Sequence, residues 1–350
     1  MQVTGLLVPY SKIFFLLLLL IFANVYAQEY LDAQVNSLLK SGIDDITNQN
    51  YSQAKIDFDK LNSKFPDLPF GKIYLAATEI ARSFDYGEDY NGDMISKYLY
   101  SAKDQSEKLL SKNSEDIWNH YFLGLTEGYI SYYEGLNGSW LTSLKEGVNS
   151  ASGFEECLKR NPDFIDAYSG LGTYKYWKSK KTKFLNWLPF VNDEREVGIN
   201  YLEKAVEGTS YNTYLAVNSL IWIYIDKKNY TKAVQIAEKA LEIYPKARFF
   251  KWGQARAYED IDRSKAISIY YEILNSYPDL YSMNHYNEIV LKHLMAQQYD
   301  KMGEKEKALK LCNEILAVKN ISEFVKNKLG DRFDRVKELQ SSINKKKAVR

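Results

Sequence analysis

Four stretches of this 350-residue chain end on a proline, and in each a small residue stands twelve positions earlier. The pairs are Ala54 and Pro66, Ser150 and Pro162, Ala233 and Pro245, and Ala266 and Pro278. Between them lie further apolar residues at three- and four-residue steps: Phe58; Phe154 and Cys157; Ala237 and Ala240; Tyr270 and Ile273. Such steps place side chains on one face of a helix. A small residue on that face lets a neighbouring helix come close. The proline marks the turn or starts the next helix. One spacing used four times is an internal repeat, and this one is a repeat of helices. Prolines number only 7 among 350 residues, which also favours helices over a strand-rich fold. "GEKEKALKLCNEIL" adds a fifth copy, with Gly303, Ala308, Cys312 and Ile315, and it ends at Asn320 rather than at proline.

This pattern resembles the tetratricopeptide repeat (TPR), whose unit is a helix-turn-helix of about 34 residues. "NYTKAVQIAEKALEIYP" (Asn229–Pro245) carries the resemblance most clearly. The partner helices supply Leu123 and Gly124, then Tyr168, Leu171 and Gly172, then Ala296, Tyr299 and Gly303. The resemblance implies an all-α, right-handed α-solenoid of about seven helix pairs, several degenerate, spanning residues 28–320. Residues 321–340 read as a capping helix. Asn320 and Glu323 are spaced as a capping box, and Val325, Leu329, Phe333, Val336 and Leu339 form one apolar stripe. Residues 341–350 read as a basic, frayed tail.

The first 27 residues read as a leader. Lys12 precedes the apolar run Ile13–Phe22, and Val25 and Ala27 are small residues placed for cleavage after Ala27. An uncleaved anchor is the competing reading. Cleavage removes one lysine and no acid, so 45 basic residues face 45 acidic ones. That balance lacks the basic footprint of a nucleic-acid binder. The expected location is outside the cytoplasm, in a periplasm or the extracellular space, with outer-membrane association a further option.

No catalytic, metal or cofactor motif stands in the chain, which reads as a non-enzymatic protein, with an enzyme of unfamiliar active site as the less favoured alternative. Its three histidines, His120, His285 and His293, have no HExxH-type spacing and read as surface or groove residues. Cys157 and Cys312 read as small buried hydrophobes. "DYGEDYNGD" (Asp85–Asp93) fails the spacing of a calcium loop and reads as a solvated acidic loop.

The resemblance implies a protein or peptide partner held on the concave side by the first helix of each pair. The matching positions are Tyr121, Tyr129, Ser169, Tyr176, Trp177, Asn218, Trp222 and His293. Tyrosine and tryptophan give large contact area at little rotamer cost, and Asn218 offers both a donor and an acceptor. Residues 178–193 read as an insertion in what is normally a tight turn. Lys178, Lys180, Lys181 and Lys183 make it basic. Phe184, Trp187, Leu188 and Phe190 make it apolar, and Asp193 stands ready to cap the following helix. Three uses compete for this loop: filling the core, hooking a partner protein, or wedging into a membrane surface. A similar inserted loop occurs in bacterial proteins of the repeat family, and it implies no defined activity. Exposed aromatics also permit self-association.

Overall fold

A computed structural model describes residues 28–182, 192–208, 210–277 and 284–348, with side chains described to residue 345. Among the described residues there are sixteen helices and no strand. Seven antiparallel pairs follow one another. They are α1 (Ala33–Thr47) with α2 (Tyr51–Lys64), α3 (Phe70–Tyr86) with α4 (Gly92–Lys112), and α5 (Ile117–Leu136) with α6 (Trp140–Arg160). Then come α7 (Ile165–Lys181) with α8 (Arg195–Glu207), α9 (Thr213–Asp226) with α10 (Tyr230–Ile243), α11 (Arg248–Ile261) with α12 (Arg263–Asn275), and α13 (Tyr286–Lys301) with α14 (Lys305–Ala317). Each pair packs on the next, so the fold is an all-α solenoid.

The repeated small residues sit where the pairs touch. Ala54, Ala233 and Ala266 are fully buried, and Ser150 donates from Oγ to the Gly124 carbonyl at 2.7 Å. Pro66, Pro162 and Pro245 lie in the turns between pairs, each after a residue in an extended or bridging conformation, as proline requires. The pair α7–α8 is as tight as the others despite its long connection. A Cβ on Gly172 would stand 2.7 Å from the Gly198 carbonyl oxygen, and the reverse holds as well. Only glycine admits that approach.

Three boundaries differ from the sequence reading. Helix α7 runs through Lys181, so Lys178, Lys180 and Lys181 belong to its last turn, and the connection shrinks to residues 182–194. The capping segment is two helices, α15 (Glu323–Leu329) and α16 (Arg332–Ala348), broken at Gly330, whose φ is +54°. Its N-cap is Ser322, which accepts from Val325 N–H at 3.3 Å, and not Asn320. The tail expected from residue 341 continues α16 to Ala348. The stripe itself packs inward, with Val325, Leu329 and Val336 buried and Phe333 and Leu339 against them.

The N-terminal pairs do more than begin the stack. In a simple solenoid each repeat touches only its neighbours. Here α3 reaches the starts of α9, α11 and α13 in turn. Phe70 packs edge-on to Tyr211 at 6.3 Å, and Tyr74 Oη lies 3.3 Å from Asn212 Oδ1. At the far end Asp85 meets Arg248, the first residue of α11. Arg248 Nε donates to Oδ1 at 2.7 Å and Nη2 to Oδ2, with both side chains buried. Tyr51 Oη donates to the same carboxylate at 3.0 Å. The Asp85 carbonyl accepts from Tyr277 Oη at 2.9 Å and from Asn287 Nδ2 at 2.7 Å. The guanidinium lies 4.5 Å from the Tyr277 ring centre. Nearby, Tyr244 Oη donates to Asp44 at 2.7 Å, and Tyr286 packs on the backbone of Gly87, whose φ is +67°. The array is closed on itself. Asp85 opens the stretch read as a solvated acidic loop, and it is instead a buried ionic anchor.

Removing one partner of a buried ion pair costs about 3–5 kcal/mol, because the other charge is left uncompensated. Arg248→Met is therefore expected to lower the urea-unfolding free energy by about that amount. Combining it with Asp85→Leu should recover most of the loss. A single variant within about 0.5 kcal/mol of wild type would show that this pair does not hold the closure.

Candidate functional site

The sequence-derived groove residues divide by burial. Tyr121, Ser169, Tyr176 and His293 are buried, which corrects their expected role as surface contacts. Tyr121 lies in the aromatic interior with Trp118, Phe154 and Phe164, and its Oη accepts from Asn212 Nδ2 at 2.7 Å. The closure by α3 covers it. Tyr176 Oη donates to Asp226 at 2.7 Å, and its ring stands edge-on to Trp177. His293 is covered by the capping helices, and Arg332 Nη1 lies 3.2 Å from its Nδ1. Burial and the neighbouring Arg332 and Arg335 push its pKa down to about 4.

Asn212 belongs to a second buried polar hub. Asp166, at the start of α7, accepts from the backbone N–H of Tyr211 at 3.2 Å and of Asn212 at 2.9 Å, and from Asn212 Nδ2 at 3.1 Å. These donors lower its pKa, but burial outweighs them and pushes it up to about 6. The hub ties the start of α9 to α5, α7 and the N-terminal segment. Sequence reasoning missed it, since a lone aspartate at a helix start reads as a surface cap.

Of the remaining expected residues, Tyr129 lies on α5, and Trp177 on α7 and Asn218 and Trp222 on α9 lie on two adjacent helix faces, together with residues that the sequence did not single out. On α9, Tyr214, Asn218 and Trp222 are four residues apart; on α7, so are Ser169, Thr173 and Trp177. Thr173 Oγ1 and Ser219 Oγ are 3.0 Å apart and join the two faces. Trp222 is 37% exposed, Trp177 is half-buried, and Lys180 Nζ lies 5.3 Å from the Trp177 ring centre. Tyr129 is half-buried. Within this strip Asn218 Oδ1 and Ser169 Oγ are buried and have no hydrogen-bond partner. Buried polar atoms in folded proteins are nearly always paired, so this acceptor calls for a donor.

Lys181 is exposed at the end of α7. Phe184, Trp187, Leu188 and Phe190 lie outside the described residues. An apolar stripe the sequence reading overlooked stands nearby. Trp140 is 66% exposed and Leu141 64%, with Leu144 and Val148 also exposed one and two turns on. Gly147 lies against the Tyr174 ring, so the start of α6 runs beside the end of α7. The spacing of these four residues was visible in the sequence. Two of the expected basic residues are neutralised: Lys178 pairs with Glu194 and Lys180 with Asp226.

Among the described residues no group of three His, Cys, Asp or Glu is placed to hold a metal ion. No described helix is long and apolar enough to cross a membrane. Both cysteines are buried and unpaired, and burial pushes the Cys157 thiol up to about 12 and Cys312 up to about 11. Neither is a thiolate nucleophile near neutral pH.

Residues 250–280, which take in most of α11 and all of α12, match the family model of the tetratricopeptide repeat. No curated protein matches the chain. Similar solved structures include YrrB, described as a TPR protein with an unusual peptide-binding site: 14% identity, 65% of this chain and 98% of that one, TM-score 0.44. A tetratricopeptide repeat protein from Parabacteroides merdae aligns at 14% identity over 89% of this chain and 99% of its own, with a TM-score of 0.38. Yeast Tom70 aligns at 14% over 91% of this chain and 66% of its own, with a TM-score of 0.45. These likenesses concern the helical fold and carry no residue roles.

Two buried groups, Asp166 and His293, have opposite pH dependences. Asp166 ordinarily titrates at 3.8 and in the fold at about 6, so its contribution is most favourable below 3.8 and is lost as pH rises through 6. His293 ordinarily titrates at 6.5 and in the fold at about 4, so its contribution is full above 6.5 and is lost as pH falls through 4. Each amounts to roughly 2–4 kcal/mol. Between pH 4 and 6 they oppose. Relative to wild type, His293→Leu should gain stability as pH falls through that window, and Asp166→Asn should lose it. Unfolding free energies measured at intervals between pH 4 and 7 check both signs.

Proposed function

We propose that this chain is an exported, non-enzymatic scaffold that binds an extended protein segment along the α7–α9 strip. The all-α repeat solenoid supports a protein-interaction role. The observation that carries the site is the buried, unpartnered Asn218 Oδ1 beside Trp177 and Trp222. A bound segment would supply the missing donor from its backbone N–H and lay apolar side chains on the two indoles. Tyr129 and the Thr173–Ser219 pair border the strip. Export rests on the leader-like segment before Gln28.

Asn218→Leu separates binding from folding. It removes an acceptor that the free protein leaves unpaired, so stability should be unchanged or higher by about 1 kcal/mol. Peptides selected on the wild type from a random display library should bind this variant roughly tenfold more weakly or worse. Selected peptides that bind the variant as tightly would remove the strip from the proposal.

The exposed stripe Trp140, Leu141, Leu144 and Val148 favours a second reading, peripheral contact with a membrane surface, in which α6 would supply the apolar wedge. With Lys178 and Lys180 engaged in ion pairs, this contact would depend on apolar insertion more than on charge. The mature chain should then co-sediment with anionic phospholipid vesicles, and Trp140→Ser with Leu144→Ser should abolish it. Absence of wild-type sedimentation at low salt would end this reading.

A further inference from the structure

The residues directly after the expected cleavage point are tied to the fold. Tyr30 packs edge-on against Phe70 and Trp118, with ring centres 5.7 and 5.1 Å away, and its N–H donates to Tyr211 Oη at 2.7 Å. The Glu29 carboxylate accepts from Asn36 Nδ2 at 2.8 Å and also pairs with Lys40. Gln28 Oε1 accepts from the Asp166 N–H at 3.0 Å, which opens the Asp166–Asn212 hub. The other end of the same amide is anomalous. Gln28 Nε2 is buried and has no partner.

We propose that Gln28 becomes the amino terminus and closes to a pyroglutamyl lactam. This rests on the export reading above, which supplies the free α-amine. In its neutral form that amine attacks Cδ of the Gln28 carboxamide. A bond forms between the α-nitrogen and Cδ, the bond from Cδ to Nε2 breaks, and a proton passes from the attacking to the departing nitrogen. Ammonia leaves, with no oxidant or cofactor. The atom expelled is the one the fold leaves unpaired. The carbonyl oxygen, which the fold uses as an acceptor, is kept. The lactam also carries no ammonium charge on a half-buried residue, where a charge is costly.

The test is peptide mass spectrometry on the full-length chain expressed with its leader in a bacterial host and purified from the soluble envelope fraction. Digestion after lysine releases the peptide Gln28–Lys40. A synthetic peptide of that sequence, digested and handled in parallel, measures cyclisation introduced by preparation. The expected result is a peptide lighter by one ammonia, in excess over the control, together with a higher melting temperature than a sample whose amino-terminal glutamine has stayed open. A peptide that begins at Gln28 with a free amine overturns the lactam and leaves export standing. A chain that keeps its leader, or is cut elsewhere, overturns both.

Discussion

The Arg248–Asp85 pair is the contact on which this architecture turns. A repeat array built only from neighbouring contacts has two free ends and an open face. Here a carboxylate at the end of α3 meets a guanidinium at the start of α11, with Tyr51, Tyr277 and Asn287 satisfying the remaining donors and acceptors. Desolvating two charges is expensive, so such a pair adds little net stability over a well-packed apolar alternative. What it does is specify one arrangement. A shift of α3 along the array would leave a buried charge on each side without its partner. The second hub, around Asp166 and Asn212, repeats that logic nearer the amino terminus with a single charge and backbone donors.

This division explains which parts of the molecule were readable from the chain. Helix pairs are encoded locally. Ala54, Ser150, Ala233 and Ala266 and the prolines twelve residues on declare themselves within one unit, and the described helices follow that spacing. Closure is encoded by residues 138 or more positions apart. Nothing near Asp85 distinguishes it from the other acids of "DYGEDYNGD", and Arg248 is one more basic residue at a helix start. The boundaries that shifted have local causes. Helix α7 continues through its lysines because Lys178 and Lys180 find Glu194 and Asp226. The capping segment breaks because Gly330 adopts a positive φ.

The candidate site was readable in the same uneven way. The positions taken from the family all lie on the first helices of their pairs, but they do not say which of those faces the closure covers. Tyr121 and Tyr129 stand two turns apart on α5. The first lies beneath α3 and the start of α9, and the second is only half-buried. Tyr176 and Trp177 are consecutive, so they point to different sides of α7: one buries its hydroxyl on Asp226, and the other stays half-exposed. Burial by distant parts of the chain decided these outcomes.

Where the polar atoms of this protein are paired, they hold the shape; two that are not paired, Asn218 Oδ1 and Gln28 Nε2, lie where a ligand or a covalent change can reach them. The two hubs are nearly complete in their hydrogen bonds, and they lie deep. Asn218 Oδ1 and Gln28 Nε2 are incomplete on partly buried side chains, and Ser169 Oγ, His293 Nε2 and both ends of the Gln298 amide are incomplete on buried ones. A buried acceptor without a donor is a standing cost to the free protein, because water that would have paired it has been removed. Evolution can retain such a cost only where something else offsets it. For Asn218 that is a ligand backbone, which supplies the donor on binding. For Gln28 it is a covalent change that removes the orphaned nitrogen altogether. The two solutions differ in one physical respect: the first is reversible, so that the cost returns whenever the strip empties, and the second is permanent.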